Sequence, residues 1–242
     1  MNRSPPTPAE RYRGEEYLAA NPSWHEEDSG WKAHKILRLL RRAGMPSPGT
    51  VAEVGCSVGG ILKCLQKAST ESTEFFGYDV APAAIERAMQ HANARLSFHC
   101  EDIIRADRRF DLLLCIDVLE HVEDPFAFLR AVRALAPRVV FNIPLEMHVA
   151  GILINHQLWT RRQFGHLHYY TASLALETLG DCGYSVIARD YPSRLIDQPR
   201  SVSEWIFWLP RKVGAMINPE FSARVFGGTS LLVLACPDGS SG

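Results

Sequence analysis

Residues Val51–Leu62, VAEVGCSVGGIL, decide the fold. A short apolar strand, a glycine-containing turn and the start of a helix follow one another within that stretch. Twenty residues after Gly59, a second apolar run, FFGYDV, ends on the acid Asp79. Gly55 and Gly59 let the backbone come close to a ligand and aim N–H groups at it, and the helix N-terminus adds positive potential. A carboxylate after the second strand can accept hydrogen bonds from ribose hydroxyls. A tight turn without a ligand would explain the glycines alone. It would not explain Asp79 at that distance, so the pattern points to a nucleotide-like ligand.

Working outward, the chain alternates strands and helices. A helix is expected over 31–43, with Asp28 or Ser29 capping its start and Gly44 and Pro46 closing it. The first strand spans 51–55 and its helix 59–69. A second strand, 75–80, precedes a helix opened by Pro82, and a third lies near 96–100. The fourth, FDLLLCI, is continuously apolar from Leu112 to Ile116, as a strand covered on both faces should be. Asp124–Pro125 starts a helix reaching about Ala134, and RVVFNI, 138–143, is the fifth strand. Thr171 opens a helix ending near Gly183, YSVIAR is the sixth strand and TSLLVLAC the seventh. Two stretches, 144–170 and 191–228, interrupt the alternation and read as insertions.

The expected fold class is therefore α/β: a doubly wound, mostly parallel seven-stranded sheet with helices on both faces. Residues 1–30 form a flexible N-terminus and helical cap, 31–237 one domain, and 238–242 a disordered tail. In such sheets ligands bind at the carboxyl ends of the central strands. Ser57, Asp79, Asp102, Asp117, Glu120 and His121 all fall there.

Composition narrows the partners. The formal net charge of −1 gives no global attraction for polyanions, so no nucleic acid is expected as partner. Arg38, Arg41 and Arg42, Arg161 and Arg162, and Arg211 with Lys212 read as solvated faces. Six cysteines lack a C-x-x-C pair and suit reduced core thiols. With no signal-peptide core at MNRSPPTPAE and no transmembrane segment of apolar residues, a cytoplasmic protein is expected.

Four ordered elements together resemble the class I S-adenosylmethionine-dependent methyltransferases: EVGCSVGGIL, the acid Asp79, the pair Glu101–Asp102, and DVLEHVEDP at 117–125. The resemblance is closest to the small-molecule branch with the ubiquinone-biosynthesis O-methyltransferases. It extends to GHLHYYTASLALETLGDCGYSV, 165–186, and to WHEEDSGWKA, which is similar to a leading segment that folds over the cofactor site. It implies S-adenosyl-L-methionine as cofactor. Gly55, Cys56, Ser57 and Gly59 would shape the turn beneath the methionine part, with Glu53 steadying it or holding the amino group. Asp79 with Val80 would take the ribose, Asp102 the adenine amine with Ile103 beside it, and Asp117 and Val118 the far side. Ser57 departs from the family's middle glycine; serine suits the site where the backbone is not left-handed, and it crowds the ligand's tail.

For the acceptor, a small molecule methylated at a hydroxyl, His121 is the first candidate base. Asp117, Glu120 and His121 are spaced i, i+3, i+4 and share a face if the turn is helical. Helix capping or packing is the competing role for this histidine. His168 is a second candidate. Glu120 and His121, with His166 or His168, would also suit a divalent metal. Tyr169, Tyr170, His166 and Trp205 are candidates for the acceptor pocket. Trp24 and Trp31 either cover the cofactor or anchor a helix. The stripe SEWIFWLP would be core, acceptor lid, membrane-touching patch or the contact of a homodimer. Three rivals remain. GCSVG matches the G-x-S-x-G elbow of an α/β-hydrolase with Ser57 as nucleophile, but too few strands precede it. A nicotinamide dehydrogenase would need G-x-G-x-x-G, and here Ser57 stands where its middle glycine should be. A catalytically silent methyltransferase-like scaffold would keep the fold without turnover.

Overall fold

The computed structural model describes residues 26–70 and 72–239. Seven strands form one sheet: β1 (Thr50–Val54), β2 (Glu74–Tyr78), β3 (Leu96–His99), β4 (Leu112–Ile116), β5 (Val139–Pro144), β6 (Tyr184–Asp190) and β7 (Ser230–Pro237). Their order is β3-β2-β1-β4-β5-β7-β6. β1 pairs in parallel with β2 and β4, with Val51 opposite Phe75 and Leu112. Only β7 runs against its neighbours, inserted between β5 and β6. The chain order reverses between β1 and β4, and their carboxyl ends open there.

Helices cover both faces. α1 (Ser29–Arg42), α2 (Gly60–Ala68) and α3 (Pro82–Ala88) pack on one side. There Ile36, Leu39, Leu62 and Leu65 meet Val51, Leu112, Leu114 and Ile116. α4 (Pro125–Val132) and α7 (Ala172–Asp181) cover the other, where Leu129, Val132, Ala175 and Leu179 meet Leu113, Cys115, Phe141 and Val233. β4 is buried along its whole length, and its side chains alternate between the two cores.

Local chemistry sets the helix starts. Asp124 accepts from the Ala127 N–H at 2.9 Å, Thr171 from Leu174 at 3.3 Å, and Pro82 occupies the first turn of α3. α1 differs from expectation. It begins at Ser29, and Asp28 occupies the cap position without a side-chain cap bond. Its carboxylate instead pairs with Arg200 at 2.6 Å.

The insertions are helical. The first holds α5 (Val149–Leu153) and α6 (His156–Gln163). The second holds α8 (Arg194–Asp197), α9 (Val202–Ile206), α10 (Trp208–Ile217) and α11 (Pro219–Phe226). Arg38 and Arg42, read as a solvated face, reach Asp190 at the end of β6. All six cysteines are unpaired thiols; Cys56, Cys115 and Cys182 are buried, whereas Cys100 is exposed. Asp238, placed in the tail, is held by main-chain bonding to Gly183 at 2.9 Å and by Ser185 at 2.6 Å. Among the described residues no helix is long and apolar enough to cross a membrane.

Candidate functional site

A cavity of about 840 Å³ opens at the carboxyl ends of β1, β2 and β4. One wall is the turn after β1. Gly55, Ser57 and Gly59 all have positive φ, at 64°, 52° and 76°. A Cβ at Gly55 would lie 3.0 Å from the Val118 side chain, so the close approach of these two turns needs glycine. A Cβ at Gly59 would lie 2.4 Å from the Phe98 ring. Gly59 lies just outside the cavity lining, and its left-handed backbone and packing against β3 by themselves call for glycine.

Asp79 clamps this turn. One carboxylate oxygen accepts from the Ser57 N–H and the other from the Ala81 N–H, each at 2.8 Å. Burial pushes its carboxyl up, and these hydrogen bonds oppose the shift without cancelling it. Asp102 accepts from the Ile104 N–H at 3.0 Å, which starts the short turn that buries Ile103.

Deeper in, Asp117 (φ 55°) accepts from Lys32 and from the Asn142 amide, both at 2.6 Å. Burial alone would raise this carboxyl; the lysine's charge and the two hydrogen bonds hold it below the usual range. Burial likewise works against the Lys32 cation, and Asp117 more than compensates. Sequence reasoning missed Lys32. The signal was its place on the buried stripe of α1, one turn before Ile36. Glu53 is 2% exposed beside them, and burial drives its carboxyl well up against the pull of Lys32. Among the described residues, Glu53 Oε2 and Ser57 Oγ have no hydrogen-bond partner. Buried polar atoms left so are costly and expect a ligand.

The opposite wall carries Glu120, His121 and His166, each offering a ligand atom within 4.8 Å of the others. Glu120 is 1% exposed, and neither carboxylate oxygen has a hydrogen-bond partner among the described residues. Burial, then the Asp117 charge, pushes its carboxyl well up. The Glu120 carbonyl accepts from the Leu167 N–H at 2.7 Å and the His168 N–H at 3.2 Å, which straps the histidine segment to the turn after β4. His166 Nδ1 lies 2.7 Å from Glu146 Oε2, so its Nε2 is the atom left for the cluster. Glu146 was also missed; it sits two residues past the end of β5, at the same rim as the other acids.

The methyltransferase-domain model matches residues 24–189, well over half of the chain. The chain belongs to the methyltransferase-domain family. The ubiquinone biosynthesis O-methyltransferase of Coxiella burnetii (strain Dugway 5J108-111) is 32% identical over 91 residues, covering 35% of this chain. The match spans only 38% of that relative's length. Among solved structures, the magnesium protoporphyrin IX methyltransferase of Synechocystis PCC 6803 with bound S-adenosylmethionine superposes with TM-score 0.62 at 15% identity, over 98% of this chain and 100% of that one. An N-methyltransferase of Bradyrhizobium japonicum WM9, in complex with S-adenosylhomocysteine, gives 0.57 at 17% identity, over 95% and 96%. At these identities the likeness is one of fold.

Within this methyltransferase-family domain the cavity gathers Glu53, Gly55, Cys56, Ser57, Asp79, Val80, Asp102, Ile103, Asp117, Val118, Glu120, His121 and His166. Other expectations need correction. His168 turns away, with Nε2 2.9 Å from the Val122 carbonyl, and does not join the cluster. Tyr170 is buried in the core below α4 and α7, and the Tyr169 hydroxyl donates to the Gln157 carbonyl at 2.7 Å; neither lines the cavity. Trp205 lies 58% exposed on α9, outside the cavity, so of the alternatives for its stripe core packing is not the one it takes. Trp31 donates to Asp197 at 2.8 Å and anchors α1 to α8. Trp24 lies outside the described residues. The run 119–121 forms a single turn, not a helix, and Asp117 faces Lys32 instead of sharing a face with Glu120. Ser57 is left-handed after all, the conformation expected to suit serine least. With its Oγ unpartnered among the described residues, no base activates it as a hydrolase nucleophile.

Proposed function

We propose that this chain is an S-adenosylmethionine-dependent methyltransferase acting on a hydroxyl of a small-molecule acceptor. The observation that carries the reading is the turn after β1, clamped by Asp79 and carrying Ser57 Oγ, which like the nearby Glu53 Oε2 is buried without a hydrogen-bond partner among the described residues. The names of the curated relatives and the ligands bound to the solved neighbours support it. When bound, the cofactor supplies an electrophilic methyl on a sulfonium. Asp79 with Val80 holds the ribose hydroxyls, and Asp102 and Ile103 flank the adenine. Gly55, Cys56 and Ser57 form the wall under the methionine part, with Val118 opposite. Glu53 and Asp117 face its amino group. Lys32 is the one lysine or arginine lining the cavity among the described residues, and it faces the carboxylate.

In-line displacement rests on positioning, which can lower the barrier by about 7–11 kcal/mol. The acceptor's proton passes to an imidazole, His121 or His166, with Glu146 fixing the tautomer of His166 through Nδ1. The chemistry of Glu120, His121 and His166 also fits a divalent ion, since the buried Glu120 oxygens accept no hydrogen bond among the described residues and Oε1 lies 3.9 Å from His121 Nε2. Such an ion would supply Lewis-acid polarisation of the acceptor oxygen. Turnover on a catechol probe, with and without chelator, separates the two forms: loss with chelator and recovery with Mg²⁺ or Zn²⁺ supports the ion, and unchanged turnover supports the imidazole alone. Tight S-adenosylhomocysteine binding without turnover on any acceptor would favour a silent binding domain instead.

A further inference from the structure

The two insertions build one helical layer. α11 packs on both α10 and α5, and α5 on α6. α10 has an apolar stripe, Leu209, Val213 and Met216, at i, i+4 and i+7, yet none of its residues is buried. Its stripe faces solvent, the reverse of a helix packed on a core. The exposure continues along the layer: Leu153 is 78% exposed, Ile154 73%, Met216 79% and Ile217 81%. A soluble monomer rarely leaves so many large apolar side chains uncovered together.

Charge says what covers them. Segments 144–170 and 191–228 hold seven lysines and arginines against four acids, in a chain whose formal net charge is −1. All four acids are engaged, Glu146 with His166, Asp197 with Lys35, Glu204 with Arg194 and Glu220 with Arg224, and Arg200 pairs with Asp28, so the positive surplus of the layer rests on Arg161, Arg162, Arg211 and Lys212. Arg162 and Lys212 are exposed at the rim, and Lys212 lies 4.3 Å above the Trp208 ring. An apolar face with tryptophans and a basic border matches the interfacial zone of a bilayer. A second copy fits less well, because a two-fold axis would press two like-charged faces together.

We infer that this layer docks the protein on a membrane surface bearing anionic headgroups. The inference does not rest on methyl transfer. It also leaves the cavity beside the bilayer, because Glu146, Phe164 and His166 at the base of the first insertion line it.

The test is flotation of the full chain with two vesicle types, phosphatidylcholine alone and phosphatidylcholine containing phosphatidylglycerol. Binding is expected on the anionic vesicles and should fall with salt. Met216→Ser combined with Ile217→Ser should weaken it roughly tenfold or more, and Lys212→Glu roughly fivefold or more. Both variants keep the wild-type unfolding temperature and S-adenosylhomocysteine affinity, which separates this test from the catalytic reading. Absence of flotation with either vesicle would overturn the inference. So would a concentration-dependent dimer that Met216→Ser and Ile217→Ser abolish, which would assign the face to a second copy.

Discussion

Asp79→Asn separates two roles that one carboxylate holds at once. Its oxygens accept from the Ser57 and Ala81 N–H groups at 2.8 Å, and the same group faces the cavity. An amide keeps one acceptor and turns a donor toward the other N–H. One buried main-chain donor then goes unpaired, which costs about 1–3 kcal/mol. For a chain of this size the unfolding temperature should drop by about 2–10 °C. The ribose contact is a separate loss. Replacing a charged acceptor by a neutral one removes about 1.5–3 kcal/mol of ligand binding, or roughly 10- to 150-fold in Kd. Calorimetry with S-adenosylhomocysteine, run well below the variant's unfolding temperature, reads the second effect free of the first. A variant that melts early but binds within about twofold of wild type would show that Asp79 only clamps the turn.

Other expectations follow from the same site. Ser57→Gly should raise the ligand-free unfolding temperature, since a left-handed serine costs about 1–2 kcal/mol and its buried hydroxyl has no partner among the described residues; a lower temperature would contradict the strain. Lys32→Met leaves the half-buried Asp117 beside Glu53 and Glu120 without its cation, and should destabilise by about 1–3 kcal/mol, less than a fully buried pair because both groups are partly exposed; chemical denaturation measures it, and a loss below measurement error would dismiss the pair. Glu53 and Glu120 have folded pKa values well above their unfolded ones, so the stability they contribute is complete below the ordinary glutamate value and is lost as pH rises through the folded values. Asp117 has the opposite sign: its contribution is present above the ordinary aspartate value and disappears as pH falls through the lowered one. The ligand-free unfolding temperature should therefore decline as pH rises from the ordinary glutamate value through the raised ones, and Glu53→Gln should flatten that decline; an unchanged slope would refute the assignment.

The sheet, its covered central strand and the cofactor-side wall were legible because they rest on local signals: apolar runs, glycines and capping residues. The antiparallel β7 was not, since its direction follows from insertion between β5 and β6, which no local signal in TSLLVLAC marks. Lys32 and Glu146 escaped because each acts on a partner 85 or 20 residues away. That Phe98 of β3 also calls for glycine at position 59 was not legible, because that contact is between distant segments. His168 and His166 are alike in sequence, and only their ring partners, the Val122 carbonyl and Glu146, show which lines the cavity. Trp205 and its neighbours look like core by composition, because periodicity records an apolar face without naming what lies against it.

Titration of the purified chain with S-adenosylhomocysteine tests the central claim most directly. Saturable one-to-one uptake that protects the turn after β1 from hydrogen exchange is the expected result. Folded protein that takes up neither S-adenosylhomocysteine nor S-adenosylmethionine would contradict it.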